Sequence, residues 1–185
     1  MSVELSGGYA YQWGGSAPVN GGEIEIPTAG SYGFTLDVPV RSGGKLELLW
    51  WRQDTSAEFN AVGVGGNVDL TDVAVEYWQI GGLTEVQRGN ISPFVVLTLG
   101  ATRLIGKGNT TGNETRFSGT LGGGLKVSGQ GRVGVRLEGR LLLTSSNTNS
   151  AFFCGLGGCA VGIVGDPIAQ GVLSASLFVK LGNPR

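Results

Sequence analysis

A chain of 185 residues is long enough for one domain with a sizeable core and short for two. Glycine fills 35 positions, but with six prolines and no Gly-X-Y period the chain is not collagen, and a hydrophobic content of 41% excludes a disordered polymer. Charged residues make up only 15%, the formal net charge is −1 and histidine is absent, which excludes a broad basic surface for nucleic acid, the commonest metal ligand and every Ser-His-Asp arrangement.

Residues 1–185 read as a single domain made almost wholly of strands. The dominant period is two, which places alternate side chains on opposite faces of a sheet. The first segment sets Val3, Leu5, Gly7, Tyr9, Tyr11 and Trp13 against Glu4, Ser6, Gly8, Ala10 and Gln12. No charged leader region precedes it, so no signal peptide is expected at Met1–Val3. The second has Tyr32, Phe34, Leu36 and Val38 on its apolar face, against Thr35 and Asp37. The third has Leu46, Leu48 and Trp50, against Glu47, Leu49, Trp51 and Gln53. In the fourth, Val73, Val75 and Tyr77 are expected on the apolar face, with Asp72, Ala74 and Glu76 opposite.

The fifth segment sets Val95, Leu97, Leu99 and Ala101 against Val96, Thr98 and Gly100. The sixth runs from Phe117 to Val127 through Leu121 and Leu125, with Ser118, Thr120 and Lys126 on its other face. The seventh places Val133, Val135, Leu137, Leu141 and Leu143 opposite Arg136, Glu138 and Arg140. The eighth places Leu173, Ala175, Leu177, Val179 and Leu181 opposite Ser174, Ser176 and Lys180. One face of each strand is thus aliphatic or aromatic. The other is rich in Gly, Ser and Thr, with sparse charges of nearly balanced sign.

An inverted barrel explains that division: an apolar band faces lipid, and a narrow polar interior pairs its charges. The connections support it. Short links are expected at Arg41–Gly44, Thr84–Asn90 and Ser128–Gln130, and long ones at Gly14–Ser31, Asp54–Gly66, Lys107–Gly112 and Ser145–Gly165. Membrane barrels alternate short periplasmic turns with longer outer loops in this way. The reading is therefore an all-β, eight-stranded antiparallel up-and-down transmembrane β-barrel. No stretch serves as a spanning helix: Ser150–Gly165, the longest run without charge, has 16 residues, five of them glycine.

With that layout the sequence resembles the small eight-stranded outer-membrane barrel families, of the OmpA-like and OmpX-like kind. The segments that carry the resemblance are Tyr77-Trp78-Gln79-Ile80-Gly81-Gly82 and Ser92-Pro93-Phe94-Val95-Val96-Leu97-Thr98-Leu99-Gly100-Ala101. Gly122-Gly123-Gly124-Leu125 and Arg136-Leu137-Glu138-Gly139-Arg140 complete it. The resemblance implies a bacterial outer-membrane location, periplasmic termini and a lipid partner, with no cofactor, no nucleic acid and a monomeric state. Such families end a strand on a terminal aromatic; here Phe178 is followed by Val179-Lys180-Leu181-Gly182-Asn183-Pro184-Arg185.

The candidate site is the interior charge group Glu4, Glu47, Glu76, Lys126, Arg136, Glu138 and Arg140. The four charges Lys126, Arg136, Glu138 and Arg140 cannot stay unpaired in a narrow lumen, because burying a lone ion costs several kcal/mol. Pairing between them makes a plug that fills the lumen and fixes register; the sharper alternative is a polar gate or narrow ion path. Cys154 and Cys159, the only cysteines, read as a disulfide closing a glycine-rich turn in an oxidising compartment. The apolar content around them, from Phe152 and Phe153 to Ile163 and Val164, is expected to extend the sheet. Tyr9, Tyr11, Trp13, Trp50, Tyr77 and Trp78 suit interfacial girdles, with an inward direction open for Trp51 and Trp78. The Asn109 and Asn113 sequons read as polar loop composition, and Gly122-Gly123-Gly124 is no phosphate loop.

The leading expectation for function is a non-enzymatic anchor for four surface loops that serve adhesion, partner binding or envelope stability. Membrane barrels that modify lipid A, as families, use a catalytic histidine, which this chain lacks. A soluble lipocalin-like barrel for an apolar ligand would need the aliphatic faces turned inward, and a narrow channel would need a lumen wider than eight strands provide.

Overall fold

In a computed structural model of the protein, the period-two segments form one antiparallel sheet whose two ends meet. The structure describes residues 2–13, 16–19, 22–25, 28–40, 44–61, 67–106, 114–129, 131–145, 151–155, 158–162 and 168–182. Its elements are β1 (Val3–Trp13), β2 (Ser16–Val19), β3 (Gly22–Glu25), β4 (Ala29–Pro39), β5 (Lys45–Ala61) and β6 (Asn67–Glu85). They continue with β7 (Ile91–Gly106), β8 (Glu114–Ser128), β9 (Val133–Thr144), β10 (Ala151–Gly155), β11 (Gly158–Gly162) and β12 (Ile168–Leu181). No helix occurs among the described residues.

Eight of these strands make the barrel, in the order β1, β4, β5, β6, β7, β8, β9, β12, with β12 pairing back onto β1. Each barrel strand is thus hydrogen-bonded to its neighbours in the chain, the up-and-down arrangement. Closure removes the free edges that an open sheet would present. The remaining strands lie in the connections. Hairpin β2–β3 pairs through β3 onto the far end of β5, continuing the wall beyond β4. Hairpin β10–β11 forms a separate two-stranded ribbon rather than extending the barrel sheet.

Three links are tight and lie at one end of the barrel. Val40 N–H donates to Gly44 O at 2.9 Å to close β4–β5. The β6–β7 turn uses Gly89 at φ 60, and the β8–β9 turn uses Gly131 at φ 126, both left-handed conformations that glycine adopts without a Cβ clash. The termini lie at this same end, since β1 begins and β12 ends there. The opposite end differs from the expectation in one respect. Asp54–Gly66 is mostly not a loop: β5 continues to Ala61 and β6 starts at Asn67, with a register shift between Ala57 and Glu58. Paired strands satisfy their own backbone groups, so the sheet can run past the apolar band into water with no apolar face. The 107–113 connection lies outside the described residues.

The faces are inverted relative to a soluble barrel. Leu177 is 63% exposed, and Leu97, Leu121 and Leu173 are similarly exposed, whereas Arg136 and Glu47 are buried at 1% and 0%. This overturns the soluble ligand-binding alternative, which required the aliphatic faces to point inward. The fourth segment corrects the sequence reading. On β6, Tyr77 and Val75 point into the lumen while Trp78, 55% exposed, and Ile80 point outward, so the strand is out of phase by one residue. The outward band of β6 is Trp78, Ile80 and Gly82, and Tyr77 is not a girdle residue. Trp51 points inward and Trp78 does not.

Candidate functional site

The register of the inner face produces two walls of opposite charge. Glu4 on β1 pairs with Asp37 on β4, and Asp37 with Glu47 on β5, so three carboxylates stand side by side on adjacent strands. Across the lumen, Lys126 on β8 pairs with Arg136 on β9, and Glu138 and Arg140 follow Arg136 at period two. Like charges on neighbouring strands repel. Each wall is therefore stable only when the barrel brings it against the other.

The contacts across the lumen are short. Arg136 Nη2 donates to Glu47 Oε2 at 2.6 Å and to Glu138 Oε1 at 3.1 Å, and its Nη1 donates to Asp37 Oδ2 and Thr35 Oγ1, both at 3.2 Å. Arg140 Nη2 lies 2.7 Å from Glu47 Oε1 and 2.8 Å from Glu138 Oε1. Glu47 thereby bridges two arginines, one on each oxygen. Lys126 Nζ donates to Glu4 Oε2 and Asp37 Oδ2, each at 2.7 Å. Lys45, at the start of β5, adds ion pairs to Glu4 Oε1 at 2.8 Å and Glu85 Oε1 at 2.7 Å. Phe94 supplies an aromatic floor, with Arg136 4.6 Å and Lys126 5.5 Å from its ring centre. Charge-assisted bonds of this density offset the large desolvation cost of each ion.

Of the seven expected charges, six converge here and Glu76 does not. Glu76 sits on the outer side of β6, where its Oε1 accepts from Arg52 Nη1 at 3.0 Å. Its displacement follows from the one-residue phase difference of β6. Asp37, Lys45 and Glu85 belong to the network and were not among the expected group. Asp37 was legible, since it shares the polar face of β4 with Thr35. Lys45 and Glu85 stand at strand ends, where residues read as turn.

The layer of the lumen next to the charges, on the long-loop side, is built from neutral side chains. Tyr77 OH donates to Gln170 Oε1 at 2.7 Å and accepts from Gln12 Nε2 at 3.0 Å. Thr98 and Thr120 hydroxyls donate to Gln79 Oε1 at 2.7 and 2.6 Å. Ala10, Leu49, Trp51, Val75, Leu142 and Val172 pack among them. A cavity of about 20 Å³ lined by Gln12, Tyr77, Arg140 and Ser174 has room for one water molecule. At this level the lumen is filled by side chains.

Cys154 and Cys159 face one another in the β10–β11 pairing. Their side chains, and those of Phe152, Phe153, Ile163 and Val164, lie outside the described residues.

No protein-family model and no curated protein sequence matches the chain. Solved structures do. The chain is similar to neisserial surface protein A, with a TM-score of 0.67 at 12% identity over 97% of each chain. It is similar to the outer membrane protein OprG of Pseudomonas aeruginosa, with a TM-score of 0.66 at 10% identity over 98% of this chain and 96% of that one. A third is Ail, the attachment invasion locus protein of Yersinia pestis, solved with a heparin analogue, with a TM-score of 0.53 at 11% identity over 97% of this chain and 98% of that one. At such identities the likeness is one of fold: the protein has the architecture of the small eight-stranded outer-membrane barrels.

Proposed function

We propose that the protein is a non-enzymatic, integral barrel of a bacterial outer membrane that anchors four surface loops for adhesion, partner binding or envelope stability. The single observation that carries this reading is the inversion of the barrel, with leucines exposed on the outside and an ion-pair network buried within. Along β7 the outward residues Ile91, Pro93, Val95, Leu97, Leu99 and Ala101 span about 33 Å of strand, or roughly 25 Å once tilted, the height of a bilayer's apolar band. The interior network serves as a structural plug. It fills the lumen on the short-turn side, and its bridging geometry at Glu47 fixes register between β5 and β9. The termini and short turns are assigned to the periplasm, and Cys154–Cys159 to a disulfide in the last outer loop. The fold likeness to the outer membrane protein OprG supports the location, and that to an attachment invasion locus protein supports a role in adhesion.

Epitope insertion in a Gram-negative host tests this reading. A tag placed between Asn109 and Thr110 is expected to bind antibody on intact cells. A tag at Ser42 is expected to bind only after the outer membrane is permeabilised. Equal labelling of both on intact cells, or of neither after fractionation to the soluble pool, contradicts it.

A further inference from the structure

On the outside of the barrel, the strand register lines up Tyr32, Arg52, Glu76 and Arg103 in one row across β4, β5, β6 and β7. The next outward row toward the short turns is Phe34, Trp50, Trp78 and Ala101. Its rings touch: Phe34 and Trp50 lie 5.2 Å apart between centroids, and Trp50 and Trp78 lie 6.1 Å apart. On the outward face of β7 Arg103 follows Ala101 and precedes Ile105, level with Glu76 on β6 and, through it, with Arg52 on β5. Arg52, Glu76 and Arg103 are the first charges on this outer wall above the ring shelf, and that row sets the edge of the band, where hydrocarbon gives way to headgroups.

Arg103 is exposed and makes no ion pair or hydrogen bond among the described residues. Its cross-strand neighbour Glu76 is engaged by Arg52, whose Nη2 is also 3.3 Å from Asp54 Oδ1. The wall formed by β9 and β12 presents Leu141, Leu143, Ala169 and Gly171 outward near the same end, with no cation among them. We infer that this row is a binding site for the phosphate of a membrane-lipid headgroup, with Arg103 as its principal cation and the Trp50–Trp78 shelf against its upper acyl chain. The inference rests on the membrane reading above. A long arginine at the band edge extends its guanidinium to headgroup level, where its fork matches a phosphate's oxygens. Indole rings hold the same depth, with apolar bodies toward the chains and N–H groups toward the interface. Arg52 is drawn to its carboxylates and contributes charge rather than a free fork. The phosphate is lipid-borne, because the same surface that offers Arg103 offers an apolar shelf immediately below it.

Trp50 and Trp78 make the site its own reporter. The protein is refolded into phosphatidylcholine vesicles in which brominated acyl chains are carried either by phosphatidylcholine or by phosphatidic acid. Tryptophan quenching then gives the preference for the phosphomonoester lipid. The wild type is expected to prefer it roughly fivefold, which corresponds to about 1 kcal/mol for one cation at an anionic surface. Arg103→Ala is expected to bring the ratio near one, Arg103→Lys to leave it between the two, and Arg88→Ala, in the opposite-end turn, to leave it unchanged. A wild-type ratio near one overturns the inference. So does an equal loss in the Arg88 variant, which indicates general surface charge, or abolition of the preference by millimolar inorganic phosphate, which indicates a free-anion site. A boiling-dependent gel shift in each variant shows that its barrel is folded. Loss of that shift in the wild type itself refutes the membrane reading rather than the lipid site.

Discussion

Arg136 on β9 reaches across the lumen to Glu47 on β5, with Nη2 2.6 Å from Oε2, while Arg140 holds the other oxygen of the same carboxylate at 2.7 Å. One carboxylate thus ties two cations of one strand to the far wall. Neither wall could assemble alone, because Glu4, Asp37 and Glu47 are adjacent on one and Lys126 and Arg136 on the other. Closure of the sheet and neutralisation of its interior are the same event.

Removing Arg136 should therefore be severe. Arg136→Met leaves Asp37, Glu47 and Glu138 buried around an apolar side chain, and the expected loss is about 3–5 kcal/mol of unfolding free energy in detergent. The double variant Arg136→Met with Glu47→Gln should lose less than the two single effects summed. Urea titration of the four proteins measures the coupling; additive losses would show that the pair is not a unit.

Glycine matters where adjacent backbones crowd. A Cβ on Gly81 would strike the backbone carbonyl of Leu97, whereas one on Gly82 meets nothing within 4 Å. Gly81→Ala is expected to cost roughly 1–3 kcal/mol by forcing β6 from β7. Gly82→Ala should be neutral within about 0.5 kcal/mol. Equal effects in urea unfolding would contradict the close approach.

Most of the barrel was legible because the outward face of β1, β4, β7, β9 and β12 alternates without interruption. β6 was not, for a specific reason: around Ala74-Val75-Glu76-Tyr77-Trp78 both faces carry apolar residues, so period two does not fix its phase. Tyr77 and Trp78 differ only in that the Tyr77 hydroxyl finds Gln12 and Gln170 in the lumen, partners brought there by strands far away in sequence. Glu76 was misplaced by the same ambiguity. The far ends of β5 and β6 read as loop because a strand in water needs no apolar face, and Lys45 and Glu85 were hidden by their nearness to turns.

The phase of β6 is directly testable. In proteins that keep a single tryptophan, a nitroxide on the lipid acyl chain should quench Trp78 strongly and Trp51 weakly, since Trp51 is buried in the lumen and Trp78 faces lipid. Reversed quenching would restore the opposite phase.

Tyr77→Phe removes the hydroxyl that links Gln12 to Gln170 and leaves the two amides only their long mutual contact of 3.4 Å. The expected loss is about 1–3 kcal/mol, read from the urea midpoint at constant slope. A stability equal to wild type would show that the two glutamines satisfy one another.

The proposed Cys154–Cys159 disulfide predicts no titratable thiol in denaturant before reduction and two afterwards. Two thiols in the unreduced protein, purified from an oxidising compartment, would refute it.

The most direct test of the inverted barrel is electrophoretic mobility after refolding, with and without boiling, in detergent micelles and in plain buffer. A membrane barrel resists SDS until it is boiled, so the prediction is a mobility shift on boiling for protein refolded in micelles and none for protein left in buffer. A soluble, compact monomer in plain buffer, with no boiling-dependent shift in micelles, would mean that the leucine faces point inward.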